Sequence, residues 1–227
     1  MVSVRVFFVI AAIFLWLPQK SIAQTYEQMR DSLEVASAAL HQSPDNIDLR
    51  LRKASWNISL EQWEYAQNEY NRILEKEPNN IAALYFRAYT NEKLHRYKYA
   101  RNDYEAVLRI VPGNFNATLG LALLNQKDMH FTEAMDLINQ LVQQHPDSAL
   151  AYAARAGMEL ERNMLDLAEY DFSEAIRLAP DNTDYVINRA DVRIRMGHRK
   201  KALSDLNKAV KMGVPKPTLF ELFQQCR

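Results

Sequence analysis

Histidine, cysteine and carboxylate side chains are the groups from which a catalytic or metal centre would be built, and here their spacing builds none. The five histidines, His41, His95, His130, His145 and His198, are scattered. They form neither a helical HExxH pair nor a cluster with cysteine, the two patterns that would place zinc ligands on one side. Cys226 is the single cysteine and stands at the extreme C-terminus. It permits no internal disulfide, although it could pair between chains. Only five glycines occur. No glycine-rich phosphate loop, nucleophile elbow or dinucleotide fingerprint is present. The sequence therefore implies no catalytic residue, no cofactor and no metal, and an enzyme is not expected.

The charged residues do show order, at a period of 34. Lys53, Arg87, Arg155 and Arg189 recur in step with Glu69, Asp103, Asp171 and Asp205, and the intervening unit has Leu121 and Leu137 instead. The same period spaces Pro44, Pro78, Pro112, Pro146 and Pro180. Ten residues after each proline stands an alanine (54, 88, 122, 156, 190), and twenty-two after stands another (66, 100, 134, 168, 202). Ten alanines at ten positions are the mark of a repeat array. Alanine favours helix and lets two helices cross closely, since ridges must enter grooves at about 8–10 Å. Large groups fill the space beside them: Trp63, Tyr97, Phe131 and Leu165 at one register, with Arg199 breaking the series, and Tyr70, Tyr104, Ile138, Phe172 and Leu206 at another.

With these residues the chain resembles the tetratricopeptide-repeat family from about Ile47 to Gly213. The resemblance implies an all-α fold, a right-handed α-solenoid of five 34-residue helix-turn-helix repeats. Helices are expected near 47–60, 63–76, 81–94, 97–110, 115–128, 131–144, 149–162, 165–178, 183–196 and 199–211. Asn79-Asn80, Asn114, Asp147-Ser148 and Asp181-Asn182 precede helices, where short polar side chains cap free N–H groups. Antiparallel helices with facing alanines would set the charged series nearly opposite each other. That predicts four semi-buried pairs, Lys53–Glu69, Arg87–Asp103, Arg155–Asp171 and Arg189–Asp205, and a Leu121–Leu137 contact. Such pairs fix register more than they add stability.

In the family, the first helix of each pair lines a concave face that receives a segment of another protein. Carried to this sequence, the lining includes Leu51, Ser55 and Ile58, then Tyr85, Tyr89 and Glu92, then Leu119, Leu123 and Gln126. Ala153, Gly157 and Leu160 follow, then Ile187, Asp191 and Ile194. This lining is mainly apolar. The basic and asparagine clamp with which some members hold carboxylate tails is missing, so apolar anchoring of a protein or peptide partner is expected. The other reading is that these side chains pack between adjacent first helices or are covered by the N-terminal helix.

The termini complete the organisation. Residues 1–23 read as a signal peptide: Arg5 opens it, Val6 to Leu17 is apolar, and Ser21-Ile22-Ala23 suits cleavage. An uncleaved anchor is the competing reading, but the run is shorter than the roughly 20 residues a bilayer needs. Residues 24–46 are expected to form an N-terminal capping helix, 47–214 the repeats, and 215–227 a C-terminal capping helix. Leu219, Phe220, Leu222 and Phe223 seal the last repeat or meet a partner, so a homo-oligomer through the terminal helices is the alternative function. Formal net charge is +0, which argues against nucleic acid; loss of Arg5 and Lys20 with the signal peptide would leave the mature chain slightly acidic, which argues against charge-driven attraction to a membrane surface. The expectation is an exported scaffold, periplasmic or secreted. Two sequons, Asn57-Ile58-Ser59 and Asn116-Ala117-Thr118, fall within predicted helices, where modification is not expected.

Overall fold

The computed structural model describes residues 22–227, and every element in that range is helical. The signal-peptide expectation rests on the apolar stretch before residue 22 and lies outside the described residues. A long helix α1 (Ile22–Gln42) precedes five hairpins: α2 (Ile47–Ser59) with α3 (Trp63–Lys76), α4 (Ile81–Lys93) with α5 (Tyr97–Ile110), α6 (Phe115–Lys127) with α7 (Phe131–Gln144), α8 (Ala149–Glu161) with α9 (Leu165–Leu178), and α10 (Thr183–Arg195) with α11 (Arg199–Lys211). A 3-10 turn, Lys216–Leu219, leads into α12 (Phe220–Gln225).

Each boundary has a local cause. Two residues after each proline, a side-chain oxygen of Asn46, Asn80, Asn114, Ser148 or Asn182 accepts the N–H three residues on, at 3.0 to 3.3 Å. That satisfies a donor which the first helical turn leaves free. The break inside each hairpin is a residue in the left-handed region: Glu61, His95, Met129, Asn163 and Gly197 all have φ between 56° and 77°. The next N–H then closes back on a carbonyl five residues earlier, as in Gln62 to Asn57 and His130 to Asn125, both 2.8 Å. This closure satisfies an otherwise orphaned carbonyl at the helix end. Only Gly197 advertises the turn by residue type, because glycine alone adopts this conformation without a Cβ penalty.

The chain divides into two compact units, residues up to Leu124 and residues from Asn125. In the first, α1 packs on α2, α2 on α3, α3 on α4 and α4 on α5. Ala36 and Leu40 turn inward from α1, while Val35 is 69% exposed. In the second, consecutive helices from α7 to α11 pack in turn, and α12 covers α10 and α11. Leu219 is buried with Val186, Ala190, Leu206 and Ala209, and Leu222 and Phe223 pack against that cluster. Phe220 points away and is exposed. All ten crossing alanines are buried, each with at most 1% of its surface exposed.

Tyr70, Tyr104, Ile138, Phe172 and Leu206 beside the alanines are equally closed off, whereas Trp63, Tyr97 and Leu165 are partly exposed and Phe131 is exposed. In the first unit Tyr104 is 1% exposed and its hydroxyl donates to Glu92 Oε1 at 2.6 Å. Burial, with the Glu92 carboxylate beside it, pushes the phenol pKa far above its ordinary value of 10. The neighbouring backbone at Gly120 must therefore stay bare: a Cβ there would stand 2.6 and 2.8 Å from atoms of the Tyr104 ring. Since the ring is pinned at its hydroxyl, Gly120→Ala is expected to cost about 1–3 kcal/mol by overpacking. Urea denaturation checks this. An unchanged midpoint would mean that the ring has room to move.

Candidate functional site

The buried charges are organised as arginine forks. Arg87 holds both carboxylate oxygens of Asp103, through Nε at 2.8 Å and Nη2 at 2.7 Å. Arg155 grips Asp171 in the same way at 2.6 and 2.9 Å, and Arg189 grips Asp205 at 3.0 and 2.8 Å. The remaining guanidinium nitrogen reaches back to the preceding second helix, to Asn71 at 2.9 Å, Asn139 at 3.2 Å and Ser173 at 3.0 Å respectively. One side chain thus ties three helices. The planar fork of arginine makes that possible, where the point charge of a lysine could not.

The first repeat reaches the same end with two cations. Glu69 receives Lys53 at 2.7 Å and the buried Arg50 at 2.6 Å, and Arg50 also donates to the Pro44 carbonyl at 2.5 Å. Burial raises the Glu69 carboxyl pKa, but hydrogen bonds from Lys53 and Arg50 outweigh it and leave the pKa below 4.5. Leu121 is buried at the corresponding position of α6, and Leu137 on α7 is half-buried. A further staple joins Arg193 to Glu169 and Asp205, both at 2.6 Å. Its counterpart in the first unit is neutral, with Gln67 donating to Asn91 at 2.5 Å. The 34-residue series does not announce Arg50, Arg193 or the third partner of each fork, because their identity changes from repeat to repeat.

The residues assigned to a partner face divide by unit. In the first unit Leu51, Ile58, Tyr85, Tyr89, Glu92, Leu119 and Leu123 are all partly exposed. Tyr89 meets Trp63 edge-on, with ring centroids 6.1 Å apart, and Lys93 Nζ lies over both rings at 5.2 and 5.7 Å. Tyr85 packs against Phe86 at 5.2 Å and Tyr104 at 5.8 Å, and burial raises its hydroxyl pKa. Trp63, Tyr89 and Lys93 therefore form a rim at the end of α4, while Tyr85 and Glu92 are partly engaged in holding the hairpin. In the second unit Gln126 is partly exposed and donates to Glu161. Leu160, expected on the partner face, is instead 4% exposed and packed with Ala156, Phe172, Ala175 and Val192. Ala153 and Gly157 are buried as well. Small residues draw the α8 surface into its own core, and Leu160 follows. Asn57, first residue of one sequon, is 2% exposed.

One acid stands outside the pairing scheme. Glu159, 4% exposed, occupies in α8 the position that Asn91 and Arg193 use for their staples, and its Oε2 has no hydrogen-bond partner. Its Oε1 lies 3.9 Å from Arg155 Nε, whose stronger bond goes to Asp171. Burial first, and then the Asp171 carboxylate, push its pKa from 4.5 to about 7. Among the described residues no group of three or more His, Cys, Asp or Glu is placed to hold a metal ion. Among those residues, too, no helix is long and apolar enough to cross a membrane.

Stacked helix hairpins with small residues at each crossing define a class of repeat protein built to present surface. Residues 117–183 match the model of the tetratricopeptide repeat, and the chain has the tetratricopeptide-repeat fold. Among solved structures it is similar to a tetratricopeptide repeat protein from Parabacteroides merdae, with a TM-score of 0.73 and 24% identity over 89% of this chain and 79% of that one. It is similar also to the protein TTC0263 of Thermus thermophilus, with a TM-score of 0.64 and 18% identity over 80% and 98% of the two chains. A third likeness is to YrrB, described as a TPR protein with an unusual peptide-binding site, with a TM-score of 0.55 and 21% identity over 80% and 93%. No curated protein matches the chain.

The folded chain holds a proton on Glu159 that the unfolded chain releases near pH 4.5. Unfolding free energy should therefore fall as pH rises from 4.5 to about 7 and level off above, a contribution on the order of 3 kcal/mol. Glu159→Gln should abolish that slope and raise stability above pH 7. Thermal melts from about pH 5 to about pH 8 check this, and identical slopes in parent and variant would contradict it.

Proposed function

We propose that the protein is an exported, non-catalytic scaffold that docks a polypeptide segment on the first-helix surface of its N-terminal unit, centred on α4. The observation that carries this reading is the rim of Tyr89, Trp63 and Lys93. Two aromatic rings and a cation stay accessible there, beside half-exposed Tyr85, with Leu119 and Leu123 at the corresponding positions of α6. Aromatic side chains of this kind supply large contact area with few rotors to freeze, which is why they dominate binding energy at interfaces. Elsewhere in the same unit the faces between helices are spent on alanine crossings and arginine forks. The peptide-binding site reported for YrrB is consistent with a recognition role for such a surface.

Site-directed photo-crosslinking tests the proposal. A crosslinking residue at position 89 or 123 should capture a polypeptide partner in cells, and the same residue at Tyr65 should not. Tyr65 is 67% exposed on the second helix of its hairpin and controls for stickiness. Tyr89→Ala with Leu123→Ala should abolish the capture with the helical circular dichroism unchanged. Equal capture at position 65, or capture that survives the double change, would remove the proposal.

A further inference from the structure

Overall neutrality hides a segregation of charge. Residues 193–216 contain eight arginines and lysines against one acid, Asp205, which leaves 20 basic and 27 acidic residues in the rest of the chain. That one acid is buried and consumed by Arg189 and Arg193. On α11, Lys200, Lys201, Ser204, Asn207, Lys208 and Lys211 share the face opposite the buried Ala202, Leu206 and Ala209. This follows from their helical spacing. No acid lies on that face.

Helix stability does not explain the arrangement. Lys208 and Lys211 sit in the last turn, where cations are favoured, but Arg199, Lys200 and Lys201 open the helix and oppose its dipole. Among the other second helices, α3, α7 and α9 each carry an acid in the first turn, Glu64, Glu133 and Asp166, while α5 has none and carries Lys98. In α11 three cations stand in that turn. Neither does ion pairing explain it. Arg199 donates to the Arg227 carbonyl at 3.4 Å. Lys201 lies within the field of Glu169, which Arg193 already holds. Among the described residues, Lys200, Lys208 and Lys211 have no acidic partner. A local rule broken without a structural return points to an external partner.

We propose that the solvent face of α11 docks on an anionic lipid surface, with Lys200, Lys201, Lys208 and Lys211 meeting the headgroup phosphates. The residue types choose among polyanions. Lysine is depleted at protein interfaces, and base or bidentate phosphate recognition favours arginine. A face of compact, mobile ammonium charges suits the fluid phosphates of a membrane. Leu203, 40% exposed on the same helix, and Phe220, 60% exposed on α12, supply apolar groups that a bilayer interface accepts and a nucleic-acid backbone does not.

Cosedimentation of the full chain with vesicles tests this, comparing phosphatidylcholine alone with phosphatidylcholine mixed with phosphatidylglycerol. The chain should partition onto the mixed vesicles in excess of the neutral ones, and added salt should remove the excess. The variant K200Q/K201Q/K208Q/K211Q should lose the excess by about fivefold per lysine. Its melting temperature should match or exceed the parent's, since two first-turn cations are gone. Equal partition on both lipids, or a variant that binds like the parent, would overturn the proposal. Tighter binding to duplex DNA or polyglutamate than to the mixed vesicles at the same ionic strength would also overturn it.

Discussion

A guanidinium held by an aspartate of its own hairpin and an amide or hydroxyl of the hairpin before is the constraint on which the rest of the structure depends. Alanine methyls let the helices of a hairpin approach, but a methyl contact has no direction and tolerates sliding. The fork has direction. Arg87 cannot satisfy Asp103 on α5 and Asn71 on α3 together unless all three helices sit at one axial offset. Asp103, Asp171 and Asp205 are each at most 5% exposed, so a slip would strand a buried carboxylate. Removing one member of such a pair costs about 3–5 kcal/mol, whereas replacing both by apolar groups is nearly neutral. The third repeat has leucine at both positions. Register, more than net stability, is what the charged version contributes.

That division of labour leaves surface free elsewhere. Since the contacts between helices are occupied by alanines, forks and staples, the outward positions of α2, α4 and α6 can vary, and in α4 they carry tyrosine. In α8 the same positions are alanine, glycine and a buried leucine, so that helix is structural on both sides. Glu159 marks the cost of a missing staple: its Oε2 has no hydrogen-bond partner, and burial with the Asp171 carboxylate beside it pushes its pKa up to about 7. At the far end, α12 closes the last hairpin with Leu219, Leu222 and Phe223, and α11 turns a lysine face to solvent.

What the sequence makes legible follows from what repeats. The five hairpins and their boundaries can be read from prolines and alanines, because close approach admits one small side chain and tolerates no variation. The cation–acid series is visible for the same reason. The third arm of each fork is not, since Asn71, Asn139 and Ser173 differ in type and belong to the preceding hairpin. The left-handed turn residues are hidden behind glutamate, histidine, methionine and asparagine, where closure of the helix end overrides residue preference. Leu160 misleads because its register matches an outward position, while the small residues beside it allow the chain to bury it. Trp63 reads as filler between helices, and its contact with Tyr89 and Lys93 requires three dimensions to see.

A double-mutant cycle on Arg87→Leu and Asp103→Leu, read by chemical denaturation, tests the role of the fork most directly. Each single change should lower stability by about 3–5 kcal/mol, and the pair together should recover most of that loss. The third repeat has leucine at both corresponding positions. Losses that simply add, to within about 0.5 kcal/mol, would contradict the claim that these side chains act as one link.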